Sequence, residues 1–532
     1  MQAPGSAGRR LQNDELMPMS VSIAGSPSAR ALRAWTDWLQ SHPLRGLLAL
    51  ISVQVAIWTL VPWALGASLP LDVVSDGLSW GHEWQWGYYK HPPLPSWEVE
   101  AAFDLLGDIG PYLLSQLSIA ATFFFVYLLG RRMMPARYAL AGSILLSGIY
   151  YFSIPTPEFN HNVAQMPLWA AAAYFYYQAL KTRSLHFWAL LGLAIGLGML
   201  TKYSTAIFAV TIVIHALSSR SARNAFASPG PYVAILVCLL VMIPHTVWLV
   251  HNDFPTLHYA ESRAGHAAAL QRVLTPLRFL LAQITTLLPC FAIAAISGVI
   301  GRDSWRNLPA RGDEDFRFLV LLGLGPAVLS ALLCFAAGLG LRDMWGAPMW
   351  NLTGLLLVRA SLPGRQQISL GRLSACCAVL FVVLPAAYEI ASTYGPEWRG
   401  SRPRTEWPDR AMASGLSSAW EKATGQPLQI IAGDSWIAGL IAMRSTPRPS
   451  VFIDANYQYA PWISPEKLDR SGALVVWQVT KRARVPPANL MLPRIEMMGT
   501  MNFAWPYSNK IEPLQIGWAI VRPIQAAVPA RQ

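Results

Sequence analysis

Residues 231–252 read PYVAILVCLLVMIPHTVWLVHN, 22 positions without a single Asp, Glu, Lys or Arg. Wound as a helix at about 1.5 Å per residue, such a run covers the roughly 30 Å of a bilayer's hydrocarbon core. Working outward, gaps free of all four charged types recur at 46–71, 109–130, 138–157, 159–180, 184–201, 203–219, 224–252, 279–301, 318–341, 344–358 and 373–388. The gaps at 344–358 and 373–388 are short and need flanking side chains that reach to the interface. Apolar residues make up 53% of the 532 and charged residues 13%, a balance that excludes a soluble, disordered or fibrous chain. The expectation is a polytopic α-helical membrane protein with about 11 transmembrane helices.

The net charge of +12 has two readings, a nucleic-acid surface or basic loops on one side of a membrane. Its distribution decides. With the N-terminus inside, the inside loops hold 19 Lys and Arg, among them Arg131, Arg132, Arg220, Arg223, Arg359 and Arg372, and the outside loops hold 6. This is the positive-inside pattern, and no nucleic-acid partner is expected. The five cysteines all lie in apolar runs and read as packing residues.

Three regions follow. Residues 1–45 read as a cytoplasmic tail with an interfacial helix, from the helical spacing of Leu32, Trp35, Trp38 and Leu39. Residues 46–392 form the transmembrane domain. From 393 to 532, short apolar runs at 429–432, 450–454, 473–478 and 515–521 alternate with helix-like stretches such as Asp434–Met443, with Asp434 as its N-cap. That pattern predicts a soluble C-terminal α/β domain, and an odd number of spans puts it on the periplasmic side.

The chemistry gathers in the outside loops. Asp72 follows directly on the first span and Asp76 lies four residues on. A carboxylate at a membrane boundary costs free energy and so marks a site, with a solvated helix cap as the competing reading. The same loop carries Tyr88, Tyr89, Lys90 and His91, whose aromatic density suits a sugar-stacking surface or an interfacial belt. The second loop adds Glu158, the break between two spans adds Lys202 and Tyr203, and further loops add His258, Arg263 and Arg342. Carboxylates able to take a hydroxyl proton, beside cations at membrane depth, make a site for a lipid-linked phosphate. His82-Glu83 lacks the second His of a metalloprotease motif, and no metal ligand set is fixed by the spacing. A divalent cation beside His91 stays open; no other cofactor is expected.

The run Gly87-Tyr88-Tyr89-Lys90-His91-Pro92-Pro93-Leu94, the Asp after the first span, Thr156-Pro157-Glu158 and Leu200-Thr201-Lys202-Tyr203-Ser204 resemble the bacterial protein-O-mannosyltransferase-like enzymes of glycosyltransferase family 39, which include the lipid A aminoarabinose transferases. The resemblance covers residues 46 to about 360 and extends loosely to the outer domain. It implies a GT-C fold and an inverting glycosyltransferase in the cell inner membrane. The donor would be a sugar on polyprenyl phosphate, and the acceptor a hydroxyl of a glycan, lipid or protein. It also implies Asp72 as the base, Glu158 as a second acid and Lys202 as a contact of the carrier phosphate. Two departures stand out. Lys90 occupies a position where many relatives carry Asp, and the acid that follows Asp72 comes at Asp76 instead of next to it, so Asp76 is the alternative base. A transporter or flippase, or a non-catalytic binder, of lipid-linked sugars is the runner-up; a transporter would favour paired repeats, and none is evident.

Overall fold

A computed structural model describes residues 27–263, 269–301, 307–310, 312–364, 368–395, 402–480, 484–507 and 511–524. Among them, six helices are long and apolar enough to cross a membrane: Pro43–Leu65, Ile109–Met133, Gly230–His251, Leu270–Ile296, Glu314–Ala337 and Leu370–Thr393. The count is seven if Thr205–Ser218 and Arg220–Ala227, bent by 102° at their junction, are taken as one span.

The remaining charge-free gaps also carry helices, but less regular ones. His161–Thr182 is 22 residues long with Gln165, Tyr176, Tyr177 and Gln178 in its interior face, which dilutes its hydropathy. Leu185–Thr201 is shorter. The 138–157 gap is a ten-residue helix, Ala136–Leu145, followed by 3-10 turns at Leu146–Gly148 and Tyr150–Phe152. The 344–358 gap opens as a 3-10 segment, Asp343–Trp350, containing Pro348, before the helix Thr353–Ser361. Proline removes an amide donor and clashes with the preceding turn, so regular α-helix does not run through.

The glycines of Leu185–Thr201 set a close helix contact. A Cβ on Gly192 would lie 2.2 Å from the Ala234 carbonyl oxygen, and one on Gly196 2.9 Å from Val241 Cβ. Small residues here let two backbones approach where lipid offers no hydrophobic drive. Pro27–Ser41 forms the amphipathic helix ahead of the first span, with Leu39 buried and Leu32 and Trp35 exposed. All five cysteines are free and at least partly buried.

Beyond the last apolar helix lies an α/β unit. Strands β1 (Ile430–Gly433), β2 (Ser450–Ile453), β3 (Ala473–Gln478), β4 (Ile495–Phe503) and β5 (Leu514–Val521) form one sheet in the order β2-β1-β3-β5-β4. The first three are parallel, and β5 and β4 extend the sheet antiparallel. The sequence reading did not include β4. Its side chains are largely exposed, and a bulge between Met497 and Gly499 breaks the alternation that marks a strand. Asp434 caps the helix Ser435–Arg444, accepting from the Trp436 and Ile437 amides.

This unit is fastened to the loop that follows the first span. The Ala67 and Ser68 amides both donate to the Thr405 carbonyl at 2.9 Å. Arg448 donates to the Glu100 carboxylate at 2.8 Å and to the Leu78 carbonyl at 2.7 Å. Arg444 joins Asp108, at 2.6 Å, to Asp409, at 2.9 Å. Helix Ser435–Arg444 itself rests on Val73–Leu78, where Gly439 leaves no room: a Cβ there would sit 2.3 Å from Ser79 Oγ.

Candidate active site

The first span ends at Leu65, and after a short extended stretch the chain turns into Leu71-Asp72 and then a π-helical segment, Val73–Leu78. A π turn is a wide, weakly favoured winding that recurs at functional sites. Here Ser79 Oγ, bonded to the Val74 carbonyl at 2.9 Å, and helix Ser435–Arg444 hold it in place.

Asp72 and Asp76 stand at the start and middle of this turn. They differ in their partners. Asp76 accepts from Lys90 Nζ at 3.3 Å. Asp72 is half-buried, and its carboxylate takes a hydrogen bond from the Asn160 side chain. The Asn160 oxygen caps the helix His161–Thr182 through the Asn162 and Val163 amides, so one side chain both starts a helix and points at the acid. Glu158 lies on the far side, and its Oε1 accepts the Asp72 backbone amide at 2.8 Å. Buried polar groups fix the Glu158 loop: Gln116 donates to Thr156 Oγ1 at 2.9 Å, Ser115 to the Thr156 carbonyl, and Gln54 to the Phe152 carbonyl at 2.8 Å.

Crowding sets the proton affinities. Burial, then the charges of Glu158 and Asp76, raise the Asp72 carboxyl to about 7, against the opposing pull of Lys90 and the Asn160 hydrogen bond. Burial raises Asp76 as well, held back by Lys90. Glu158 is raised by burial and restrained by the amides of Asp72 and Leu71. His91 is pushed down by burial first, then by its neighbours His161, Lys202 and Lys90, which favours the neutral imidazole.

Lys202 sits where the helix Leu185–Thr201 ends, near the negative pole of its dipole. The ammonium is buried, donates to Asn162 Oδ1 at 2.7 Å and lies 4.8 Å from the centre of the Trp345 ring. Asp72 is within its electrostatic reach, and so is the exposed Arg342. Tyr203 is held by His245: its hydroxyl meets Nε2 at 2.6 Å while Nδ1 meets the Trp86 carbonyl at 2.6 Å. Because the carbonyl only accepts, Nδ1 carries the proton and the tyrosine donates to Nε2.

The structure therefore brings Asp72, Asp76, Glu158, His91 and Lys202 to one end of the helix bundle, with Arg342 at its rim. Tyr89 joins them through its ring, stacked on Tyr459 of the α/β unit at 4.1 Å and edge-on to Tyr259 at 5.7 Å. Tyr88 is different. It is fully buried, stacked on Trp80, and its hydroxyl donates to the Trp80 carbonyl, so it builds the floor of the loop and presents no free group. His258 is exposed on the helix Pro255–Arg263, facing Glu261 at 3.7 Å. The Arg263 side chain lies outside the described residues. His82 pairs with Glu100 at 3.3 Å and so turns towards the latch on the α/β unit.

The sequence reading missed Asn160, Asn162, His161 and Tyr459 as site residues. The first three follow Glu158 within four positions, and Asn160 carries the local signal of an N-cap; Tyr459 carried none, because only the folded outer unit brings it to Tyr89.

Residues 90–248 match the family described as dolichyl-phosphate-mannose-protein mannosyltransferase. Over 459 residues the chain is 27% identical to the lipopolysaccharide core galacturonosyltransferase RgtB of Rhizobium johnstonii, covering 82% of this chain and 87% of that protein. It is 24% identical over 465 residues to the core galacturonosyltransferase RgtA of the same organism, covering 82% and 89%. Its fold is similar to that of ArnT from Cupriavidus metallidurans bound to undecaprenyl phosphate, with a TM-score of 0.62 at 12% identity, covering 88% of this chain and 97% of that one. These likenesses bear out the resemblance and the enzyme class read from the sequence: a polytopic membrane glycosyltransferase.

Proposed function

We propose that this glycosyltransferase moves a galacturonosyl group from a polyprenyl phosphate carrier to a hydroxyl of a lipopolysaccharide core or lipid A acceptor, with Asp72 as general base. One observation carries the base assignment. Of the two acids on the π turn, Asp76 is paired with Lys90, whereas Asp72 has no lysine in contact among the described residues and is held in place by Glu158 and Asn160. The sugar and acceptor classes are drawn from the galacturonosyltransferase relatives, and the carrier from the lipid bound to ArnT.

Asp72 takes the acceptor O–H proton as that oxygen forms its bond to the anomeric carbon. The bond from that carbon to the phosphate oxygen breaks, its electron pair stays on the phosphate, and polyprenyl phosphate leaves. Attack from the opposite face inverts the configuration. Lys202 meets the charge that grows on the leaving phosphate, in a buried setting where it counts for more than in water. Glu158 fixes the backbone of the base, and Tyr89 with Tyr459 offers a stacking wall for sugar.

On this reading each of the 11 gaps is a crossing of the inner membrane, the shorter helices included. The N-terminus is cytoplasmic, and residues 393–532 lie with the site on the periplasmic side. A transfer assay in liposomes tests the function directly. Purified protein receives polyprenyl-phosphate galacturonic acid, mannose or aminoarabinose in parallel, with deacylated core or lipid A as acceptor. Consumption of the galacturonate donor alone is expected. Consumption of another sugar instead overturns the donor assignment, and consumption of none overturns the transfer reading.

A further inference from the structure

Beside the acid pair lies a group of side chains that the transfer chemistry leaves without a task. One ligand atom each from Asp76, His91 and His161 falls within 4.8 Å of the others. The two imidazole rings lie with centroids 4.1 Å apart, tilted by 38° to each other. His161 is only 6% exposed, and its Nε2 is buried without a hydrogen-bond partner among the described residues. A buried ring nitrogen left unpaired is costly, and most such atoms in native proteins are matched by protein or an ordered ligand.

We infer that Asp76, His91 and His161 form a binding site for one divalent transition metal ion of the zinc type, adjacent to Asp72. Two imidazoles and a carboxylate are a donor set that suits such an ion, and three protein ligands leave a fourth position open. Tetrahedral ligands at about 2.1 Å from an ion stand about 3.4 Å from one another, so small side-chain rotations close the site. His91 and His161 are wedged against Trp80, at 6.4 and 6.3 Å between ring centres, which limits how far either ring can stray.

Charge supports an ion here. The carboxylates of Asp72, Asp76 and Glu158 face two ammonium groups, Lys90 and Lys202. A dication offsets this excess of negative charge and favours the negative charge of a phosphodiester. Lys90 engages one oxygen of Asp76, and a carboxylate has a second. The open position then takes an oxygen of the carrier phosphate, a role that rests on the proposed function; the ligand set does not.

Cobalt titration tests both parts. The full-length protein, purified with a tag free of histidine and stripped with chelator, is titrated with Co2+ while its visible absorption is followed. One equivalent with a d–d band of low coordination number is expected. His161→Gln and His91→Gln should each weaken binding by about tenfold or more, and His258→Gln should not. Size-exclusion elution at the wild-type position shows that the variants fold. No stoichiometric band in the wild type, or binding by both histidine variants as tight as by the wild type, overturns the site. A short-chain polyprenyl phosphate should then shift the band; an unchanged band overturns the open position as its docking point. Sugar transfer is read separately: transfer without cobalt binding removes the metal and keeps the enzyme, and binding without transfer does the reverse.

Discussion

The loop between the first two long helices holds acids at both of its ends, and they are treated in opposite ways. Towards residue 108, Glu100 and Asp108 meet arginines of the α/β unit: Glu100 with Arg448 at 2.8 Å, Asp108 with Arg444 at 2.6 Å and with Arg410 at 3.0 Å. Towards residue 72 three acids crowd together, and among the described residues the ion pair there is Lys90 with Asp76. A buried acid with a guanidinium partner is a fastening. Buried acids in excess of their partners are held by the rest of the fold at a cost in free energy, and such places are where proton transfer happens.

The comparison breaks most sharply at the two aspartates themselves. Asp72→Asn should lower transfer by about 10³-fold with unchanged thermal stability, and Asp76→Asn by about tenfold at most, within the usual range for removing a general base. Single-turnover assays on both variants check this. Equal losses would mean the two ends of the π turn are not distinguished as the partners suggest. At the fastened end, Arg448→Ala leaves the buried Glu100 with His82 as its remaining ion-pair partner among the described residues, and should cost about 3 kcal/mol of stability. Denaturant unfolding of wild type and variant checks the value. A change below about 1 kcal/mol, the range of surface pairs, would show the latch to be superficial.

The two ends also communicate, because Gly439 of the outer unit touches the turn that carries the aspartates. Gly439→Ala pushes a methyl towards Ser79 Oγ, at 2.3 Å, and Val74 Cγ1, at 3.0 Å. The turn must yield, and kcat should fall by about tenfold with little change in KM, since a small displacement of a catalytic group is expensive. Unchanged kcat in the variant would separate the outer unit from catalysis. The smallest effect is expected at the stacking wall: Tyr459→Ala should raise the acceptor KM by about fivefold, the order of one lost aromatic contact, with kcat kept.

Much of this was legible in the chain. The charge-free gaps announced the apolar helices, because burying a charge in hydrocarbon is so unfavourable that evolution leaves the run clean; helix Leu94–Leu106, which carries Glu98, Glu100 and Asp104, lay outside them. Asp434 announced its helix through the local chemistry of a cap. What the gaps could not tell was regularity: 138–157 and 344–358 look like ordinary spans in composition, yet fold as short helices joined to 3-10 turns around the site. Asp72, Glu158 and Lys202 were readable as polar groups at the ends of apolar runs. Their division of labour was not. That Glu158 holds a backbone amide, that Lys90 occupies Asp76, and that Tyr459 reaches Tyr89 are pairings across 86, 14 and 370 positions, which no local pattern encodes.

The most direct test of the account is the pH dependence of kcat/KM for sugar transfer by the wild-type enzyme. This parameter reports the free enzyme's essential base. Burial and its acidic neighbours raise the Asp72 carboxyl to about 7, and the base works only when deprotonated. The rate should therefore climb about tenfold per pH unit on the acid side and level off above about pH 7. A profile flat from pH 5 to 8 would mean that the base is an ordinary, solvated carboxylate, and that the crowding at Asp72 is not what makes the site work.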